Sequence, residues 1–147
     1  MFTRTSTAVW RGTGMEGQGT LSTQSGAFKD QPYSFKARFA SEDGKAGTNP
    51  EELVASAHAA CFSMALSAGL EKAGTPPTSV STTATVTLDF VGGAPRITKI
   101  HLVTRGKVAG IDQAAFAKAA AEAKDGCPIS NLFKGNAAIE LDARLDG

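Results

Sequence analysis

The segment that most constrains this chain runs from Thr48 to Leu70. Thr48-Asn49-Pro50-Glu51-Glu52-Leu53 has the form of a helix start. Asn49 suits the N-cap, Pro50 the first helical position, and Glu52 stands where a capping box closes. From Leu53 to Leu70 there is no Asp, Glu, Lys or Arg. Gly74 ends the run, with Pro76 and Pro77 just beyond it. The spacing therefore predicts one long, small-residue, apolar helix that something else in the fold must cover. The uncharged stretch sits at the short end of a membrane-spanning length. Ser56, His58, Ser63 and Ser67 interrupt it, and alanine outnumbers leucine, which favours a buried core helix over a span.

Strand patterns lie on either side of this helix. Thr5, Thr7 and Val9 alternate with Ser6, Ala8 and Trp10, and glycines from Gly12 to Gly19 make a turn. Thr20 to Thr23 and Tyr33 to Phe39 read as two further strands of a meander. After the helix, Val80, Thr82, Ala84, Val86, Leu88 and Phe90 alternate with polar residues. The turn Gly92-Gly93-Ala94-Pro95 returns the chain to Thr98, Ile100 and Leu102. A second helix starts at Asp112 and runs through an alanine-rich stretch to a stop at Gly126. Cys127-Pro128 opens one more helical turn, closed by Gly135. Ala137, Ile139, Leu141 and Ala143 mark a last strand. Strands and helices in separate blocks predict an α+β fold.

At 147 residues the chain is read as one domain, residues 1–147, long enough to bury a core. The net charge is +1 and no basic cluster forms a nucleic-acid stripe, so the implied partner is small and neutral. Met1-Phe2-Thr3-Arg4 lacks the layout of a secretory signal, and a cytoplasmic location is the default. A static disulfide is rare there, so the two cysteines point to catalysis, a metal, or inert burial.

Cys61 lies in the middle of the long helix with Ala57, Met64 and Ala65 one turn away, on an apolar face. A buried free cysteine is commonly just a small hydrophobe. An apolar site raises a thiol's pKa, so a reactive Cys61 requires a cation folded against it. Arg38, between Phe35 and Phe39, is one source of that cation. Cys127 stands at an N-cap position ahead of Pro128, where a helix N-terminus favours a thiolate. The two cysteines are 66 positions apart, and the sequence alone does not bring them together. Glu52 is explained by capping. Glu51 is left either to complement the helix dipole or to hold an arginine.

Two other chemistries compete with the thiol reading. His58 and Cys61, three apart on a helix, could join His101 and Cys127 around zinc. However, paired-ligand spacing is missing and His101 lies opposite Ile100 and Leu102 on its strand. Gly12-Thr13-Gly14-Met15-Glu16-Gly17 matches a dinucleotide fingerprint, but it joins two strands and opens no helix. Both are weaker than the thiol reading, whose chemistry needs no metal or organic cofactor.

Gly47-Thr48-Asn49-Pro50-Glu51-Glu52-Leu53, followed by Ala57-His58-Ala59-Ala60-Cys61-Phe62-Ser63-Met64-Ala65-Leu66, resembles the OsmC/Ohr family of hydroperoxide reductases. Gly126-Cys127-Pro128-Ile129-Ser130 is similar to the family's second cysteine motif, and the likeness extends from Trp10 to the last strand. Gln31-Pro32-Tyr33-Ser34-Phe35 and Ala57-His58 resemble the OsmC branch more than the Ohr branch. The resemblance implies an OsmC-like fold: an intertwined homodimer with two antiparallel sheet regions around long central helices. It implies reduction of organic hydroperoxides to alcohols, with hydrogen peroxide a poorer substrate, and a dithiol reductant of the lipoyl type. By similarity Cys61 matches the peroxidatic cysteine and Cys127 the resolving one. Arg38 matches the arginine that pairs with the thiolate, and Glu51 the glutamate that holds this arginine. Other classes compatible with the sequence are a non-catalytic, stress-related ligand-binding dimer and a zinc-binding module.

Helix geometry adds one constraint to that set. Ten residues separate Glu51 from Cys61, which is about 15 Å along a helix axis. A single chain does not easily bring both to one arginine. The simplest arrangement takes Glu51, and Arg38 with it, from the second subunit across a two-fold axis.

Overall fold

The computed structural model describes residues 1–146. The chain divides into two compact units, Met1–Leu53 and the chain from Val54 onward.

The N-terminal unit is built on a three-stranded antiparallel meander in the order β1 (Ser6–Arg11), β2 (Gln18–Thr23), β3 (Gln31–Ser34). The glycine-rich stretch Gly12–Gly17 is the β1–β2 connection, closed by the Gly17 N–H donating to Thr13 O at 2.9 Å. It leads into β2 and opens no helix. Gly19 is required by close approach: a Cβ there would lie 2.4 Å from the Tyr33 ring and 2.8 Å from the Trp10 ring. Those two rings pack at 5.4 Å between centroids across the strand that carries Gly19.

The strand expected over Tyr33 to Phe39 is shorter than the alternation suggests. It ends at Ser34, and Phe35–Phe39 form a helical turn, α1. Ser34 is extended, with φ −151, and its Oγ accepts from the Ala37 N–H at 3.1 Å, an N-cap bond. Phe35 and Phe39, four residues apart, then meet on one face at 4.7 Å. An apolar pattern at positions 35, 37 and 39 fits a strand, but the same spacing of four fits a helical turn, and the cap selects the latter. Arg38 thus stands on a helix and not at a strand end.

Helix α2 (Pro50–Lys72) starts as its sequence predicts. The Glu52 N–H donates to Asn49 Oδ1 at 2.8 Å, and Thr48 Oγ1 donates to Glu52 Oε2 at 2.7 Å. At its end Gly74 takes a positive φ of 82, and the Gly74 and Thr75 N–H groups reach back to Glu71 O and Leu70 O. By length and composition α2 is apolar enough to cross a membrane, with a mean hydropathy of 1.5. It buries one stripe only, His58, Phe62, Leu66 and Leu70, at the i, i+4 spacing of a single face. Ser56, Ala60, Met64 and Ala68, on another face, are exposed.

In the C-terminal unit, β4 (Ser79–Val91) and β5 (Ala94–Lys107) form a long hairpin. Gly92 and Gly93 both take positive φ, as a two-residue turn matched to strand twist requires. Helices α3 (Gln113–Gly126) and α4 (Pro128–Phe133) follow, then β6 (Ala138–Asp146). β6 joins β5 in parallel, with Leu102 opposite Leu141, so the second sheet is mixed. Alternation does not specify strand direction; the α3–α4 crossover between β5 and β6 makes the parallel pairing possible. The core gathers Phe62, Leu66 and Leu70 of α2, Ile100 and Leu102 of β5, and Phe116, Ala120 and Ala123 of α3. Each fully buried Phe or Leu here contributes roughly 1.5–3 kcal/mol of burial. Cys127, fully buried, belongs to the same cluster.

Candidate active site

Cys127 is the hinge between two helices. Its backbone N–H closes α3 by donating to Ala123 O at 2.8 Å, and its carbonyl accepts from the Asn131 N–H in α4 at 3.0 Å. It is C-cap to one helix and N-cap to the next, with Pro128 in the first turn. Gly126 remains helical; the expected stop at Gly126 is imposed by Pro128, which cannot continue α3 because it has no N–H and crowds the preceding turn. This corner buries the Cys127 side chain in the core at the start of α4, where it makes no cap hydrogen bond.

Cys61, half-buried on α2, packs against that core. The fold packs Cys61 against the cluster that contains Cys127, close enough for each thiol to shift the ionisation of the other, and both are free. Their surroundings differ. Burial pushes the Cys61 thiol above its ordinary value, the Ile129 N–H opposes the rise, and the neighbouring Cys127 adds to it. Burial works against ionisation of Cys127 as well, but there it is outweighed. The Ser130 N–H, the Cys61 thiol, the Ser130 hydroxyl and the Ile129 N–H all favour the charged form, so its pKa is lowered. Within this pair Cys127 is the sulfur that carries negative charge more readily.

Beneath Cys127 lies a polar contact that the sequence did not announce. His58, fully buried, places Nε2 2.7 Å from Ser130 Oγ, and Ser130 is itself buried. The His58 ring packs 6.0 Å from the Phe133 ring. Burial holds the imidazole below its ordinary pKa, so it is neutral. His58 is one helical turn before Cys61 and Ser130 three residues after Cys127. The signal available was the pair of short spacings, but nothing in the sequence linked the two turns.

The zinc grouping is not assembled. His101 Nε2 bonds Asp142 Oδ2 at 2.9 Å, on the exposed side of the second sheet. Among the described residues no three of His, Cys, Asp and Glu come together as a metal site.

Arg38 and Glu51 meet within the N-terminal unit. Arg38 Nη2 donates to Glu51 Oε1 at 2.7 Å and Nε donates to Oε2 at 3.1 Å, a two-pronged, charge-assisted pair. The guanidinium also lies 4.8 Å from the centre of the Phe39 ring. Glu51 is mostly buried and Arg38 a third exposed, so the pair holds one guanidinium in a fixed orientation with donors to spare.

Two free thiols, one on a long apolar helix and one at a helix corner, thus come near each other in an α+β architecture. The sequence matches the family model described as OsmC-like protein over residues 42–142, and the chain belongs to the OsmC family. It is 51% identical over 138 residues to Peroxiredoxin OsmC of Escherichia coli (strain K12), covering 94% of this chain and 93% of that protein. Peroxiredoxin OsmC of Shigella flexneri matches to the same extent. Among solved structures, an organic hydroperoxide resistance protein from Elizabethkingia anophelis superposes with a TM-score of 0.80 at 21% identity, covering 99% of this chain and 98% of that one. An organic hydroperoxide resistance protein OsmC from Legionella pneumophila gives a TM-score of 0.71 at 25% identity, with 97% of each chain covered.

Proposed function

We propose that this chain is a peroxiredoxin-like peroxidase that reduces organic hydroperoxides to alcohols, and hydrogen peroxide less well, through Cys61 and Cys127. The peroxidase class rests on the 51% identity to Peroxiredoxin OsmC over nearly the whole chain. The observation that carries the mechanism is the packing of Cys61 against the core cluster that holds Cys127, near enough for the two thiols to influence each other's ionisation.

The reaction divides into three steps. The Cys61 thiolate attacks the distal oxygen of the hydroperoxide, the O–O bond breaks, and the leaving alkoxide takes a proton to become the alcohol. Cys61 is then a sulfenic acid. The Cys127 thiolate attacks the Cys61 sulfur and expels hydroxide, which leaves as water after protonation, and a Cys61–Cys127 disulfide remains. A dithiol reduces the disulfide by exchange and leaves as its own cyclic disulfide. A lipoyl-type dithiol is the proposed reductant. No step calls for a metal or an organic cofactor.

Cys61 must ionise to start, and its own surroundings oppose this. Arg38, held by Glu51, is the proposed source of the compensating positive charge. The ten-residue spacing of Glu51 and Cys61 favours supply from a second subunit, and a homodimer is part of the proposal. The exposed stripe Ser56, Ala60, Met64 and Ala68 supports it, because the small side chains at 56, 60 and 68 let a second α2 approach closely and Met64 adds an apolar contact. The cytoplasm, where dithiol reductants are maintained, is the proposed location.

Purified protein supplied with dihydrolipoamide should consume cumene hydroperoxide faster than hydrogen peroxide. Absence of turnover with both would favour a non-catalytic ligand-binding dimer. Mixing inactive Cys61→Ser chains with inactive Glu51→Ala/Arg38→Met chains should restore part of the activity, because one site of each heterodimer is intact. No recovery in proven heterodimers would place the whole set in one chain.

A further inference from the structure

The His58–Ser130 contact plays no part in the three steps above, yet it is a buried polar pair on the short helix that Cys127 opens. We propose that His58 is a positioning residue that turns the Ser130 hydroxyl toward Cys127 Sγ, so that Cys127 departs as a stabilised thiolate when a dithiol opens the Cys61–Cys127 disulfide. The inference rests on the thiol–disulfide reading of the site.

The proton arrangement follows from the partners available. Nδ1 of His58 is buried and has no hydrogen-bond partner among the described residues, while Nε2 contacts Ser130 Oγ at 2.7 Å. A neutral imidazole carries its proton on one nitrogen only. On Nδ1 the proton would be a buried donor with nothing to bond; on Nε2 it donates to Ser130 Oγ and leaves a bare acceptor at Nδ1. Orphaned buried N–H groups are rarer than under-satisfied acceptors, so the second tautomer prevails. Ser130 Oγ, accepting from His58, then has its own proton free to donate, and Cys127, three residues earlier at the start of α4, is the group whose ionisation that hydroxyl favours. A chain of donors, Nε2–H to Oγ–H to Sγ, thus ends on one cysteine and not on the other.

Accessibility shows which cysteine needs this help. Cys127 is fully buried and Cys61 is half-buried, so an incoming dithiol meets the Cys61 sulfur first. The new S–S bond forms between the reductant and Cys61. The bond to Cys127 breaks, and its electron pair goes to Cys127 Sγ. The leaving thiolate is received by the Ser130 hydroxyl and by the Ile129 and Ser130 N–H groups. A better-stabilised leaving thiolate leaves faster.

Two readouts test this, and neither depends on peroxide turnover. In a Cys61→Ser background Cys127 is the remaining thiol, and ultraviolet thiolate absorbance followed against pH reports its ionisation. Ser130→Ala should cut the thiolate fraction at a pH below the midpoint about tenfold, the value of one hydrogen bond to a charged group. His58→Leu should cut it in the same direction, and His58→Gln, whose amide reaches the Nε2 position, should restore it. His58→Asn, which is too short to reach Ser130, should behave as His58→Leu and replaces it if the leucine variant does not fold. In chains with both cysteines, the disulfide is formed with a chemical thiol oxidant and opened with dihydrolipoamide. His58→Leu and Ser130→Ala should slow the opening, and His58→Gln should not. If the Cys127 titration and the opening rate are both unmoved in folded His58→Leu or His58→Asn, the positioning role is overturned. If these variants behave as stated but no variant, nor the wild type, turns over peroxide, the peroxidase reading fails and this inference stands.

Discussion

Gly106 on β5 offers a quantitative test of how the fold holds Cys127. A Cβ at this position would lie 2.4 Å from Phe116 Cε2 and 2.5 Å from Cζ. Phe116 is fully buried on α3, the helix whose C-cap is Cys127. For Gly106→Ala, reaching an ordinary carbon–carbon separation requires the ring to retreat by about 1 Å. The ring is enclosed on all sides by the core, so the move must be shared with α3 or taken as an off-rotamer side chain. Either route costs roughly 1–3 kcal/mol. Alanine's better backbone preference in a strand offsets less than about 1 kcal/mol of this. Urea unfolding should therefore show a lower midpoint with an unchanged slope. Phe116→Leu in the same chain should recover part of the loss, since the clash and its relief share one contact. Additive losses in the double variant, or a Gly106→Ala protein as stable as wild type, would refute the argument. Because α3 ends at Cys127, Gly106→Ala should also slow disulfide closure after Cys61 is oxidised.

Three further outcomes follow from the site. Cys127→Ser should leave Cys61 open to its first oxidation and without a partner afterwards, so mass spectrometry after excess peroxide should find sulfinic and sulfonic acid on Cys61; resistance equal to wild type would remove the resolving role. Cys127→Ala should lower the pH at which Cys61 reacts with an alkylating agent, because Cys127 contributes to holding the Cys61 thiol up and its loss acts in the opposite sense; a higher midpoint would contradict the coupling. Arg38→Met keeps the length and loses the cation, so, if Arg38 activates Cys61 as proposed, alkylation of Cys61 should need a higher pH and peroxide turnover should fall; an unchanged profile would assign activation to another group.

Much of the architecture was legible because local chemistry and tertiary packing agree. The Asn49-Pro50 start of α2, the Gly92-Gly93 hairpin and the Asp112 cap of α3 are each fixed by residues within one turn. The misreading at Phe35–Phe39 came from a pattern with two valid periods, decided by the single bond from Ala37 N–H to Ser34 Oγ. The parallel direction of β6 was invisible for a different reason: side-chain alternation is the same in both directions. The motifs around Cys61 and Cys127 could be picked out one by one. Their contact could not, since it depends on how α2 packs against the α3–α4 corner. His58 was readable as a zinc ligand or as part of the motif around Cys61, but its bond to Ser130 spans 72 positions and becomes visible only in the folded chain.

The central claim is that peroxide oxidises Cys61 and that Cys127 closes on it within the same chain. The most direct measurement is peptide mapping by mass spectrometry, without reduction, of protein treated with one equivalent of cumene hydroperoxide. The account predicts a Cys61–Cys127 disulfide in each chain, formed as the hydroperoxide is consumed and lost again on adding dihydrolipoamide, with none in Cys61→Ser, which should also consume no peroxide. Peroxide consumption by Cys61→Ser at the wild-type rate, or consumption by wild type with both thiols still free and unmodified, would contradict it.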